Sequence, residues 1–200
     1  MITLGLTGSI AMGKSAMAQL FRDEGVPVHD ADQAVHDLMA SGGMAAEPVA
    51  KAFPDAQRDD GSIDRGILGR LVFNDGALRQ QLEQILHPLV RLERDQWLAQ
   101  QKEDGHLMAG LDVPLLFETG GEKECDVTVV ASCGPYLQRR RALARPNMTP
   151  ERLDAILNLQ MPDIMKQDKA DFVVPTNFGF TASRWYIQRI LALLKERHHA

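Results

Sequence analysis

An α/β fold with a parallel sheet and crossover helices is what this sequence predicts, on three observations. Short apolar runs alternate along the chain with segments of helical spacing. Several of those runs are apolar almost throughout, as strands covered on both faces are. The first, Ile2-Thr3-Leu4-Gly5-Leu6-Thr7, opens directly into Gly8-Ser9-Ile10-Ala11-Met12-Gly13-Lys14-Ser15, which matches the phosphate-loop pattern G-x-x-x-x-G-K-[ST].

The expected strands are residues 2–6, 26–29, 107–113, 127–131 and 172–174. A helix follows the glycine loop through Ala16-Met17-Ala18-Gln19-Leu20-Phe21 and ends at Gly25. Pro27 falls near the start of the second strand, where its missing N–H does least harm. Residues 41–104 break the alternation, with no convincing strand. Leu68, Leu71 and Val72, then Leu78, Leu82, Ile85, Leu86 and Leu89, lie at helical spacing, so the segment reads as a helical insertion. Within it, residues 55–62 read as an exposed loop. His87-Pro88 predicts that one helix ends there and another begins with Pro88 in its first turn.

Residues 135–168 form a third unit. Gln138-Arg139-Arg140-Arg141-Ala142-Leu143-Ala144-Arg145 is a basic helical pattern closed by Pro146-Asn147. Thr149 then caps a helix with Pro150 at its first position and Glu151 in its first turn. Two helices joined by a tight turn, one rich in arginine, suit a mobile cover over phosphates. The last helix, from about Thr181, is expected to turn Tyr186, Ile190, Leu193 and Leu194 toward the sheet. His198-His199 reads as a solvated pair rather than a metal site. The predicted organisation is a core of residues 1–40, 105–134 and 169–200, a helical domain of 41–104, and a lid of 135–168.

The composition is that of one large core with a smaller appendage: 200 residues, 44% hydrophobic. A formal net charge of −5 argues against nucleic acid as a partner, and any polyanion must be held by local Lys and Arg. Cys125 and Cys133 stand in no C-x-x-C spacing and read as buried thiols. The start lacks a basic n-region, and its apolar stretch is too short for a signal peptide or a membrane span. The expectation is a soluble cytoplasmic protein.

The chemistry is expected along the carboxyl edge of the sheet. In the loop, glycines let the backbone wrap a phosphate, Lys14 neutralises the outer phosphates and the Ser15 hydroxyl ligates Mg²⁺. Gly8, Ala11, Met12, Gly13, Lys14, Ser15 and Ala16 make up the expected nucleotide cradle, with a helix N-terminus aimed at the anion. Asp30-Ala31-Asp32 follows the second strand. Both acids can cap the next helix, or one can accept a proton from a hydroxyl attacking phosphorus. Asp112 ends a strand and either organises Mg²⁺, often through water, or caps the following turn. Arg65 and His87 either bind an anionic substrate group or are surface residues. Arg141 and Arg145, four apart, are expected to share a helix face toward the nucleotide.

Together these motifs resemble the dephospho-coenzyme A kinase family along nearly the whole chain. The matching pieces are Leu6 to Ser15, Asp30-Ala31-Asp32 with His36, Asp64-Arg65 leading to Leu71-Val72-Phe73, and Leu82-Glu83-Gln84-Ile85-Leu86-His87-Pro88. They continue with Asp112-Val113-Pro114-Leu115-Leu116-Phe117-Glu118, Gln138, Arg141, Arg145, Gln160, Lys166 and Ala170-Asp171-Phe172. The resemblance implies a P-loop, nucleoside-monophosphate-kinase-like fold: a three-layer, five-stranded parallel core, a helical domain for the CoA precursor, and a helical lid. It implies ATP-dependent phosphorylation of the ribose 3′-hydroxyl of dephospho-CoA, the last step of coenzyme A biosynthesis. ATP, Mg²⁺ and dephospho-CoA are then the ligands of a monomer or weak homo-oligomer. Asp32 is implied as base, with Lys14 and Arg141 in the chemistry. Asp32, Arg65, His87 and Asp112 serve the acceptor, and Ser15 with Asp112 the metal. Ser9 and Ala11 stand where the family commonly carries glycine, so a left-handed backbone there would be strained by a Cβ. Val174-Pro175-Thr176-Asn177 stands where many members place an Asn beside adenine. A related kinase with another acceptor is the alternative. A GTPase-like switch is disfavoured because no N-K-x-D motif is present.

Overall fold

A computed structural model describes residues 1–73 and 75–199, the last two of these by backbone alone. The side chains of His198 and His199 therefore lie outside the described residues. In chain order the elements are β1 (Ile2–Thr7), α1 (Lys14–Asp23), β2 (Val28–Asp30), α2 (Ala31–Leu38), α3 (Ala46–Ala52), α4 (Arg65–Phe73), α5 (Gly76–Glu103) and β3 (Met108–Asp112). After these come β4 (Val127–Ser132), α6 (Pro135–Leu143), α7 (Pro150–Leu159), α8 (Asp163–Lys169), β5 (Phe172–Pro175) and α9 (Phe180–His199). Contacts divide the chain into two compact units, residues 1–29 with 101–200, and residues 30–100.

The five-stranded parallel sheet runs in the order β2-β3-β1-β4-β5. The central strand β1 is flanked by β3, with Leu6 opposite Asp112, and by β4, with Leu6 opposite Val129. Alternate residues of the strands face opposite layers. Leu4, Leu6, Val129 and Val174 pack with Met17 and Phe21 of α1 and Ile187, Ile190, Leu191 and Leu194 of α9. The other layer touches Gly5, where an added Cβ would stand 2.8 Å from both Cys125 Sγ and Leu116 Cδ2. The second strand starts at Val28, later than the sequence predicts. Pro27 precedes it and supplies only its carbonyl, which accepts from the Gly110 N–H at 2.8 Å.

The packing face of α9 also differs from the expected one. Ile187, Ile190, Leu191 and Leu194 are buried at i, i+3, i+4 and i+7, whereas Tyr186 and Leu193 are exposed. The true stripe is rotated by about one residue from the expected one, because Ile187 and Leu191 supply the branched apolar volume that fits the sheet.

In the unit of residues 30–100, Leu38, Val49, Phe53, Ile63 and Leu68 form a separate core against which Leu78, Leu82, Ile85, Leu86 and Leu89 pack. The helix break expected at His87-Pro88 does not occur: α5 is one 28-residue helix with Pro88 inside it. A proline removes the hydrogen bond to the carbonyl four residues earlier, here Gln84. Gln84, His87 and Pro88 are all exposed, so water can serve that carbonyl while the apolar stripe on the opposite face holds the helix through.

Candidate active site

The loop between β1 and α1 is shaped by its glycines and by one residue that is not glycine. A Cβ on Gly8 would stand 2.9 Å from the Ala131 carbonyl oxygen, a backbone atom that cannot give way. Gly13 has φ of 99° and would press against Thr176 at 2.9 Å. Between them the Met12 N–H donates to the Ser9 carbonyl at 3.1 Å, closing a turn with Ile10 and Ala11 at its corners. Ala11 has φ of 60°, in the region that favours glycine. Its methyl group is buried against Ala142 of α6 and Leu153 of α7.

Gly13 is the N-cap of α1, and the first helical bond runs from Met17 N–H to Gly13 C=O. The N–H groups of Lys14, Ser15 and Ala16 thus have no acceptor within the helix and stand ready for an anion. Lys14 Nζ lies 2.5 Å from Asp112 Oδ1, and Asp112 is buried at the end of β3. The structure shows Asp112 in an ion pair with the loop lysine, a contact that neither of its two readings named. The Ser15 hydroxyl, in the first turn of α1, is exposed. A hydroxyl and a carboxylate are hard oxygen donors of the kind Mg²⁺ takes alongside phosphate oxygens and water.

The shared helix face expected for Arg141 and Arg145 is not found. The helix α6 stops at Leu143 and Ala144 caps it, so Arg145 lies outside, exposed in the turn before Asn147 (φ 59°). Pro146 cannot continue the helix, and the residue before a proline is driven out of the helical region. Arg141 instead donates to Thr176, from Nη1 to Oγ1 at 3.2 Å and from Nη2 to the carbonyl at 2.8 Å. The Thr176 hydroxyl donates in turn to the Met12 carbonyl at 2.5 Å, linking the β5 end to the loop.

Further contacts not foreseen from sequence surround the loop. Gln138 Nε2 donates to the Ile10 carbonyl at 3.0 Å, and the Ile10 N–H donates to Gln160 Oε1 at 2.9 Å. Lys166 is fully buried and pairs with Glu118 at 2.8 Å, while the same Glu118 oxygen accepts from the Met161 N–H at 2.8 Å. Burial pushes the Glu118 carboxyl up, but Lys166 and the Met161 N–H outweigh it and hold it below its ordinary value. Cys133 is buried and Cys125 half-buried, both as free thiols, and burial pushes the Cys133 thiol up. The only advance signal for Gln138, Gln160, Glu118 and Lys166 was membership of the recurring motif segments.

In the unit of residues 30–100, Asp30 caps α2, its Oδ1 accepting from the N–H groups of Asp32 at 3.0 Å and Gln33 at 3.1 Å. Among the described residues nothing hydrogen-bonds the exposed Asp32 carboxylate. His36 follows four residues later on the same helix, and Arg65 Nη1 lies 3.2 Å from its Nδ1. Asp64 caps α4 through the N–H groups of Gly66 and Ile67, which sets Arg65 at the first helical position. Asp32, His36 and Arg65 are thereby related; His87, exposed on α5, shares no hydrogen bond with them among the described residues.

A model of the dephospho-CoA kinase family matches residues 2–181. A dephospho-CoA kinase of Rhodopseudomonas palustris is 49% identical over 191 residues, 96% of this chain and 94% of that protein. Among solved structures, a Thermus thermophilus protein aligns with a TM-score of 0.83 at 31% identity, covering 98% of this chain and 97% of that one. The dephospho-CoA kinase of Campylobacter jejuni aligns with a TM-score of 0.74 at 23% identity, covering 98% of each chain, which speaks to the fold.

Proposed function

The chain belongs to the dephospho-CoA kinase family, and from that premise we propose how its residues carry out ATP-dependent phosphorylation of the dephospho-CoA ribose 3′-hydroxyl. The observation that carries the reading is the loop itself: unpaired amides at the start of α1, closed around by the Lys14–Asp112 pair. That geometry receives the polyphosphate of ATP, with Lys14 exchanging part of its contact with Asp112 for the β- and γ-phosphates. Ser15 and Asp112 would hold Mg²⁺, which when bound spreads the charge of the phosphate oxygens.

Asp32 orients the 3′-hydroxyl and takes its proton as the oxygen attacks the γ-phosphorus in line. The capping by Asp30 supports this assignment, because it leaves Asp32 free of local hydrogen bonds. Arg65, steadied by His36, binds an anionic group of the acceptor, with His87 assigned the same class of contact. A guanidinium has five N–H donors, so Arg141 can serve Thr176 and still offer donors to phosphate oxygens. Arg145, exposed in the turn after α6, is assigned to the nucleotide, and residues 135–168 to a lid that excludes water from the reaction. Residues 41–104 are assigned to the acceptor, and residues 1–40, 105–134 and 169–200 to the nucleotide-binding core.

The reading extends to a cytoplasmic location and to a monomer or weak homo-oligomer, checked by cell fractionation and light scattering. Among the described residues no helix is long and apolar enough to cross a membrane. Labelled ATP offered with a panel of hydroxyl and monophosphate acceptors tests the acceptor assignment. Transfer to dephospho-CoA above all others is expected, and preference for a nucleoside monophosphate would replace it with the related-kinase reading.

A further inference from the structure

We propose that Gln138 is a positioning residue that fixes the direction of one peptide group in the phosphate loop, compensating for alanine at position 11. The turn closed by Met12 N–H and Ser9 C=O has Ile10 at negative φ and Ala11 at φ 60°, the pattern of a type II turn. A type II turn differs from type I chiefly in a flip of its central peptide, here the Ile10 carbonyl and the Ala11 N–H. That peptide is trans, so its C=O and N–H point in opposite directions. Gln138, itself buried, draws the Ile10 carbonyl toward α6 with a 3.0 Å hydrogen bond. The Ala11 N–H is thereby turned away from α6. The polarity of the backbone partner leaves no ambiguity: only the amide NH₂ of Gln138 can serve a carbonyl.

Glycine at position 11 would hold this turn without help, since it takes positive φ at no steric cost. Alanine does not, and tilts the balance toward the flipped peptide. In the flipped form a carbonyl oxygen replaces an N–H where an anion is to bind, and it repels phosphate. Gln160 secures the preceding peptide by accepting from the Ile10 N–H at 2.9 Å, and the Ala11 methyl group packs on Ala142 and Leu153. Both glutamines belong to the segment 135–160, so the orientation of the loop amide is set by α6 and the end of α7.

This inference rests on the reading that the loop holds the phosphates of ATP. Steady-state kinetics of the wild type, Gln138→Met, Ala11→Gly and the double variant test it. Gln138→Met is expected to raise KM for ATP about tenfold, the size of a lost buried hydrogen bond, with KM for dephospho-CoA within about twofold. Adding Ala11→Gly should return KM for ATP to within about threefold of Ala11→Gly alone, which loss of packing would not do. Gln138→Glu, equally long but no donor toward a carbonyl, carries the same expectation and serves if methionine prevents folding. An unchanged KM for ATP in the position-138 variants, or no recovery in the double variant, overturns the proposal. A wild type without ATP turnover instead overturns the underlying reading, and this inference with it.

Discussion

Lys14 of the phosphate loop and Asp112 at the end of β3 form a 2.5 Å ion pair across 98 residues of sequence. The β1–β3 register, with Leu6 opposite Asp112, creates it. The pair holds the lysine beside the loop. Asp112→Asn keeps the shape but removes the charge that anchors Lys14 and, on the proposed reading, a donor for Mg²⁺. Turnover should fall about 10²-fold, with more Mg²⁺ needed for half-maximal rate. A Mg²⁺ titration of initial rate checks this, and a rate within about threefold of wild type at every Mg²⁺ concentration would count against it.

Asp32→Asn separates chemistry from binding. It keeps the hydrogen-bonding shape of the side chain and loses only the proposed base. The expected loss is about 10²–10⁴-fold in kcat with the ATP dissociation constant nearly unchanged. Weakened ATP binding with intact turnover would move Asp32 out of the proton-transfer role.

The Glu118–Lys166 pair ties the segment after β3 to α8, with the ammonium fully buried. Lys166→Met leaves the carboxylate without its partner, at a cost of about 3 kcal/mol, or about 6–12 °C in Tm for a chain of this size. Because Glu118 is held below its ordinary value in the folded state, its contribution is present above the unfolded carboxylate pKa. It is lost as pH falls through the lowered folded value. The Tm difference between wild type and Glu118→Gln should therefore be largest near neutrality and shrink below about pH 4. Thermal melts across pH decide the matter, and a pH-independent difference would contradict the assignment.

Pro88 lies inside α5 on its exposed face. Pro88→Ala restores the missing bond to Gln84 while loosening the unfolded chain. The net stabilisation expected is about 1–2 kcal/mol, or about 2–8 °C, read by calorimetry. A lowered Tm would show that the proline fits a distortion the helix needs.

What could be read from sequence was what local chemistry writes locally. The phosphate loop, the Thr149 cap of α7 and the glycine after α1 each follow from a few adjacent residues, and each is present. The departures from expectation each arise where a single local rule meets a competing influence. At His87-Pro88 the local rule for proline was overruled by the apolar stripe packing the opposite face of α5. In α9 the stripe was placed a residue off, because periodicity alone does not say which edge of an amphipathic face meets the sheet. For Arg141 and Arg145 the helix ended sooner than the spacing argument required. The contacts that support the loop are not legible in the sequence, for a different reason. Gln138, Gln160 and Thr176 bind backbone atoms 128, 150 and 164 residues away, and a backbone partner leaves no mark on the sequence.

The central claim is transfer of the γ-phosphate of ATP to one specified oxygen. Purified protein incubated with Mg-ATP and dephospho-CoA, followed by phosphorus NMR of the product, tests it most directly. One new phosphomonoester on the ribose 3′-oxygen, appearing in step with ADP, is the result predicted. ADP formed without that ester, or a phosphate placed on any other oxygen, would contradict the account.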